Sequence, residues 1–60
     1  MKVEVGKFYE AENELCIYRI IAVRGSWCDC EAYDNDWKYA GQTYFKVRTN
    51  IFHQELFFKS

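Results

Sequence analysis

Two neighbouring stretches of the chain, residues 15–24 and 27–33, carry most of the information about its fold. The first reads Leu-Cys-Ile-Tyr-Arg-Ile-Ile-Ala-Val-Arg, is rich in β-branched and aromatic residues, and shows no helical period. The second alternates large or acidic residues with small apolar ones. Only Gly25-Ser26 separates them, and such a two-residue link is typical of a tight β-hairpin. The sequence therefore predicts an all-β fold built around this hairpin.

Weaker signals lie on either side of the hairpin. Residues 3–9 predict a first short strand with a bulge or bend at Gly6, and residues 11–14 are polar and predict a turn. The Asp-Asn-Asp run at 34–36 predicts another turn, because short Asx side chains bond their own backbone and tolerate left-handed conformations. We expect that loop to continue to Gly41.

A fourth strand is predicted over residues 42–49, where the residue types alternate again. We expect one face to join the core and the other to face solvent. The expected core face carries Thr43, Phe45, Val47 and Thr49, and the opposite face carries Tyr44, Lys46 and Arg48.

The C-terminal stretch supports two competing predictions. In the first, Asn50 caps a single helical turn that extends to Gln54 and leads into a last strand over residues 55–59. In the second, residues 50–58 form a short helix, since Phe52 and Leu56 are four residues apart.

Length and composition limit the class of protein. Sixty residues allow one domain, spanning 1–60, and a fifth of them are aromatic, which argues against disorder at a net charge of -1. The longest apolar run, residues 20–23, is too short to cross a bilayer, and the N-terminus lacks a signal-peptide core. We therefore expect a cytoplasmic protein with no membrane partner. A pI near 5.7 means that binding nucleic acid would need a local basic patch.

The three cysteines, Cys16, Cys28 and Cys30, are an odd number, which favours reduced thiols in a reducing compartment. In an extended strand Cys28 and Cys30 share a face with Ala32, where they would act as small buried hydrophobes. A zinc site formed by the three cysteines and His53 is the competing interpretation. Structural zinc usually uses ligand pairs two to four residues apart, so the Cys-x-Cys spacing argues against it. We expect no metal and no other cofactor.

The order of these elements predicts a single five-stranded SH3-like barrel with one short helical turn near the C-terminus. Three short motifs within residues 5–57 also resemble the Tudor family, in which a Val-Gly opening, a Tyr-Arg pair in the second strand and a Tyr-Gly-Asn turn after the third are typical. The matching segments are Val5-Gly6-Lys7, Cys16-Ile17-Tyr18-Arg19 and Tyr33-Asp34-Asn35.

The resemblance implies an aromatic cage that holds methylated lysine or arginine by cation–π attraction. Tyr18 and Tyr33 match two cage positions, and Asn35 matches the asparagine of the turn. The family commonly places another cage ring in the first loop, where this chain has no aromatic residue. Trp37 and Tyr39, in the third loop, are candidates for replacement rings through their proximity in sequence.

Aromatic residues beside charged ones also indicate a binding surface, because Tyr and Trp are enriched at interface hot spots. The sequence shows no Gly-rich phosphate loop, metal-binding helix motif or nucleophile elbow, and only a Cys28–His53 pair is left as a catalytic candidate. We expect a protein-binding adaptor or inhibitor, not an enzyme, of the small stand-alone kind that phages and bacteria encode. Its predicted binding residues are Tyr18, Trp27, Tyr33, Asn35, Trp37 and Tyr39.

Two other functions compete with this one. Tyr44, Lys46 and Arg48 combine a ring with two cations, which is typical of single-stranded nucleic-acid binding. The apolar tail 56–58 favours a structural subunit that forms homo-oligomers, because it adds more apolar surface than one small core can bury.

Overall fold

The computed structural model describes residues 2–12 and 16–57, which form five β-strands and one short turn of 3-10 helix. The strands run over Phe8–Ala11 (β1), Ile17–Arg24 (β2), Trp27–Tyr33 (β3), Tyr39–Arg48 (β4) and Phe52–Leu56 (β5), and the helical turn is Thr49–Ile51. All pairings are antiparallel, in one sheet with the order β4-β3-β2-β1-β5. The all-β prediction is confirmed. No helix in the two described ranges has the length and apolar character needed to cross a bilayer.

The central hairpin is the best-predicted part of the fold. Arg24 at the end of β2 pairs with Trp27 at the start of β3, with Gly25-Ser26 as the two-residue link. Gly25 has φ +61, a left-handed conformation that glycine adopts without the steric penalty of a Cβ. β3 lies where the sequence placed it, whereas β2 begins at Ile17, because Cys16 lies in a bend before the strand and Leu15 falls outside the described residues.

The hydrophobic core lies on one face of the sheet. Tyr9 of β1, Tyr18 of β2 and Phe52 of β5 meet there, with ring centroids 5.8 Å apart for Tyr9–Phe52 and 5.9 Å apart for Tyr18–Phe52. β1 lies between β2 and β5 in the sheet, so the rings of Tyr18 and Phe52 meet across β1 on the core face. The buried members are Val3, Tyr9, Ala11, Tyr18, Ile20, Cys28, Cys30, Ala32 and Phe52.

The predicted burial of the strand face formed by Cys28, Cys30 and Ala32 is confirmed. All three side chains are almost completely buried, and both thiols are free. Their small volume lets the larger rings of neighbouring strands fill the core above them.

The predicted core face of β4 is wrong at Phe45, which is 70% exposed. Cys28 pairs with Val47 and Cys30 pairs with Tyr44, so β4 contains one more residue than β3 over this stretch. This β-bulge contains Lys46 at φ +57, and it reverses the alternation of side chains that an unbroken strand would show. Tyr44 and Val47 therefore face the core side, and Phe45 faces solvent.

The C-terminal segment contains the predicted helical turn, but two details were wrong. The turn begins at Thr49 and its N-cap residue is Arg48, without a side-chain capping bond, so Asn50 is not the cap. β5 begins at Phe52 and not at residue 55, which also excludes the alternative helix over the described part of 50–58.

The first strand is shorter than predicted. β1 starts at Phe8, and Val3 and Val5 lie outside any strand. The predicted bend at Gly6 is present, with φ +87, and the Gly6 N–H donates to the Ile20 carbonyl at 2.8 Å. The chain therefore turns at Gly6 before β1 begins. Of the polar turn predicted after β1, residues 13 and 14 lie outside the described residues.

Candidate functional site

Four aromatic rings gather on the face of the sheet opposite the core. Phe8 packs edge-on against Tyr33 and Trp37, with centroid distances of 5.3 and 4.9 Å, and Tyr33 packs against Tyr39 at 5.9 Å. We call Phe8, Tyr33, Trp37 and Tyr39 the outer aromatic cluster. Strand alternation explains its position, because Phe8 precedes a core residue in β1 and Tyr33 follows one in β3.

The turn after β3 places Trp37 in this cluster. The Asp34 carboxylate accepts hydrogen bonds from the backbone N–H groups of Asp36, at 2.9 Å, and Lys38, at 3.0 Å. The Trp37 N–H donates to the Asp34 carbonyl at 3.0 Å, and Trp37 itself has φ +64. A bulky residue in this left-handed region is strained, at a cost on the order of 1–3 kcal/mol. The local hydrogen bonds hold the strained turn that brings the indole against Phe8.

The outer aromatic cluster is only partly covered. Phe8, Tyr33 and Trp37 are half-buried, and Tyr39 is 52% exposed. The Tyr39 hydroxyl is hydrogen-bonded to the Thr43 side chain at 3.1 Å, which restrains the most exposed ring. The cluster therefore offers a large, stiff apolar area at the surface.

The structure brings together only some of the predicted binding residues. Tyr33, Trp37 and Tyr39 share the cluster, and Asn35 lies exposed in the turn that positions Trp37. Tyr18 is 8% exposed and packs in the core against the rings of Tyr44 and Phe52. In the register of β2 with β3, Ile17 pairs with Tyr33 and Tyr18 with Ala32. The two tyrosines that the Tudor resemblance assigns to one cage therefore lie on opposite faces of the sheet.

Trp27 belongs to a different surface at the far end of β3. It is six residues from Tyr33, which corresponds to roughly 20 Å along a strand. The Arg48 guanidinium lies 4.6 Å from the centroid of the indole ring, and Arg24, Trp27 and Lys46 line a depression of about 380 Å³. We call Arg24, Trp27, Lys46 and Arg48 the basic end.

The predicted nucleic-acid face is only partly assembled. Tyr44 lines a separate depression of about 200 Å³ with Tyr18 and Cys30 on the core side, while Arg48 pairs with Trp27 on the other face. The prediction that Tyr44, Lys46 and Arg48 share one face is therefore wrong, because the bulge in β4 lies between Tyr44 and Arg48.

A buried carboxylate organises the basic end. The side chain of Asp29 is 8% exposed, accepts the Lys46 backbone N–H at 3.1 Å, and forms an ion pair with Arg24 at 3.1 Å. The bond from the Lys46 N–H, together with the Arg24 guanidinium, lowers the pKa of Asp29 below its usual value, although partial desolvation opposes them. Asp29 therefore remains ionised at neutral pH and holds both partners.

Sequence reasoning missed Phe8, Arg24 and Asp29. Phe8 could have been found from the alternation of Phe8 with Tyr9, but its contact with Trp37 depends on the loop conformation. Asp29 alternates with two cysteines as an exposed residue would, but the bulge of the next strand and the Arg24 side chain both contact its carboxylate.

The chemistry of the cysteines and of His53 does not favour a nucleophilic site. Burial raises the pKa of Cys30 to about 12, and burial with the neighbouring Asp29 charge raises the pKa of Cys28. His53 lies 3.1 Å from Glu10 and pairs with that carboxylate. Within residues 2–12 and 16–57, no three His, Cys, Asp or Glu side chains gather where they could hold a metal ion.

The apolar tail lies at the end of β5. Leu56 is half-buried in that strand, Phe57 is exposed, and Phe58 lies outside the described residues.

The chain matches no known protein-family model, no curated protein and no solved structure. The outer aromatic cluster and the basic end are the candidate functional surfaces among the described residues.

Proposed function

We propose that this chain is a small SH3-like barrel that binds another protein or a peptide through the outer aromatic cluster. Support for the barrel comes from the strand order, from the ring contact of Tyr18 with Phe52 across β1, and from the helical turn between β4 and β5. Curling a five-stranded sheet into a barrel protects its edges, which suits a domain of this size.

The observation that carries the binding proposal is the placement of four contacting rings on the face that the core does not use. Part of this placement serves packing, because Ile17 is buried on the same face beside Tyr33. Trp37, however, adopts a strained backbone conformation that brings its indole to the outer face. Strain of this kind is often kept where it serves binding. Aromatic rings also lose little side-chain entropy when a partner covers them.

The charges around the cluster favour a protein partner over nucleic acid. Asp34 and Asp36 are exposed in the turn that carries Trp37, whereas Glu31, on the same strand as Tyr33, already pairs with Arg19 at 3.4 Å. The two carboxylates of the turn repel phosphate groups and can pair with basic groups of a polypeptide. The partner best suited to this surface is a peptide segment with an apolar anchor flanked by lysine or arginine.

A binding role also agrees better with the thiol chemistry than a catalytic role does. The raised pKa values of Cys28 and Cys30 disfavour the thiolate that a nucleophile requires. Three free thiols fit a reducing compartment, so the proposed location is the cytoplasm.

Selection of peptides from a displayed random library tests this proposal. Peptides enriched on the wild-type protein should bind the Trp37→Ala variant about 30-fold more weakly, the equivalent of about 2 kcal/mol for a hot-spot ring. The Arg48→Ala variant, altered at the basic end, is the matched control and should keep wild-type affinity. Circular dichroism must show that both variants are folded. Equal affinity for the wild type and a folded Tyr33→Ala, Trp37→Ala double variant would contradict the proposal.

A further inference from the structure

We propose that the basic end is a second binding site, which holds single-stranded nucleic acid by its phosphates and by one stacked base. This site is independent of the outer aromatic cluster, because the two lie at opposite ends of β3. Its parts are three cations, one exposed indole and the buried carboxylate of Asp29.

Two of the three cations line one depression, and the third lies on the ring of Trp27 beside it. Arg24 and Lys46 line it beside Trp27, and Arg48 stacks on the indole. Asp29 pairs with Arg24, whereas Lys46 and Arg48 form no ion pair with any acidic side chain among the described residues. Three positive charges against one negative charge leave a local excess of two. This local patch attracts phosphate although the whole chain carries a net charge of -1.

Asp29 is the positioning residue of this site. One of its oxygens accepts the Lys46 backbone N–H and fixes the bulge that directs this residue, while the other oxygen binds the Arg24 guanidinium. Since the carboxylate is nearly buried, both restraints act in a poorly hydrated environment where hydrogen bonds are strong. The Arg24 guanidinium and the backbone of Lys46 are thus restrained before a ligand arrives, which reduces the entropy lost on binding.

Trp27 supplies an aromatic ring that can stack on a base, a contact that a simple anion such as phosphate cannot use. It is 42% exposed although it pairs with Arg24 on one side and Arg48 on the other. A guanidinium stacked on an aromatic ring keeps its planar N–H donors available for phosphate oxygens. The exposed part of the indole can stack on a base, and bases are accessible for stacking in single strands. The depression of about 380 Å³ falls within the range of ~300–1,000 Å³ typical of small-molecule sites.

Fluorescence anisotropy with a labelled oligothymidylate about ten nucleotides long tests this proposal. If three phosphates are contacted, a plot of log affinity against log salt concentration should have a slope of about -2. Affinity should then fall about 20-fold between about 50 and about 200 mM salt. Lys46→Gln and Arg48→Gln should each make the slope shallower by about 0.7. Trp27→Ala should weaken binding about tenfold through the loss of stacking.

Two further variants distinguish a preorganised binding site from non-specific electrostatic attraction. Lys38→Gln removes the same charge from an exposed position in the loop near the outer aromatic cluster, and it should leave affinity and slope unchanged. Asp29→Asn removes a negative charge, so general attraction predicts tighter binding, whereas loss of positioning predicts weaker binding. If Asp29→Asn does not fold, Arg24→Gln replaces it, and its slope should be shallower by about 0.7.

Several results would overturn the proposal. These are no binding at low salt, equal effects of Lys38→Gln and Lys46→Gln, or tighter binding by folded Asp29→Asn. Inorganic tripolyphosphate that competes as well as the oligonucleotide would show that no base is stacked. None of these results bears on the peptide site, because peptide affinity is measured separately and should not change in Arg48→Gln.

Discussion

Two phenylalanines provide a direct test of the fold, because the sequence and the structure disagree about one of them. Phe52 is 3% exposed and contacts the rings of Tyr9 and Tyr18, whereas Phe45 is 70% exposed beside the bulge in β4. The same substitution, phenylalanine to alanine, should therefore have very different effects on the free energy of unfolding at the two positions.

The burial of each ring sets the expected magnitudes. Truncating a buried phenylalanine costs about 3–5 kcal/mol, since both the transfer energy and the cavity contribute. A sixty-residue domain has a total stability of about 3–9 kcal/mol at the usual ~0.05–0.15 kcal/mol per residue. Phe52→Ala should therefore lose a large part of the stability of the domain. Phe45→Ala should change stability by no more than about 0.5 kcal/mol, as surface substitutions usually do.

Urea denaturation followed by circular dichroism measures both effects. Since Phe52→Ala removes most of the stability, Phe52→Leu is the measurable variant, with an expected loss of about 1–2 kcal/mol. With a slope near ~1 kcal/mol per molar urea, its midpoint should fall by about 1–2 M. The midpoint of Phe45→Ala should shift by less than about 0.5 M. A Phe45→Ala variant less stable than Phe52→Leu would refute the bulge and restore the regular alternation of β4.

Three further predictions concern Asp29, Gly25 and the thiols. The pKa of Asp29 is lower in the folded protein than in the unfolded chain, so ionised Asp29 stabilises the fold fully above the unfolded-state pKa of about 3.9, and this stabilisation is lost as the pH falls through the lower folded-state pKa. The free energy of unfolding should therefore fall less steeply with decreasing pH in Asp29→Asn than in the wild type. Gly25→Ala should destabilise the hairpin by about 1–2 kcal/mol in thermal unfolding because of its φ of +61, although nothing lies within 4 Å of the added Cβ; an unchanged melting temperature would contradict the assigned turn. With a thiol reagent at mildly alkaline pH, half-buried Cys16 should react first, and Cys28 and Cys30 should react only as the protein unfolds. Equal reaction rates at all three cysteines would show that the core face is open to solvent.

Local sequence signals were sufficient for the central hairpin. Gly25-Ser26 supplies the positive φ that a two-residue link requires, and the period-two pattern of β3 places Cys28 and Cys30 on one face. These features depend on neighbours in the chain, so they could be predicted without knowing the partner strands.

The bulge in β4 could not be predicted because it depends on a contact between two strands. Residues 42–49 alternate regularly, and the residue that breaks their alternation in space is Asp29, 17 positions from Lys46 in sequence. Its carboxylate holds the Lys46 N–H and so stabilises the left-handed conformation there. A period-two pattern contains no information about such a bond.

The candidate site was predicted only in part, because some of its contacts are local in sequence and others join distant strands. The Asx turn at 34–36 and the aromatic residues after it located Trp37 and Tyr39 from local chemistry. Phe8 joins them only because β1 lies near the turn after β3 in the folded sheet. The sheet register separates Tyr18 from Tyr33, and short motifs do not specify register.

Two-dimensional NMR with a library-selected peptide shows which face of the protein the peptide covers. Titration of the peptide into isotopically labelled protein should shift the backbone amide signals of Phe8, Tyr33 and Tyr39 and both the amide and the indole N–H signals of Trp37. The indole N–H of Trp27 should not move, because it lies at the other end of β3. Shifts confined to Trp27 and the strands around it, with the outer aromatic cluster unchanged, would show that the cluster is not the peptide site.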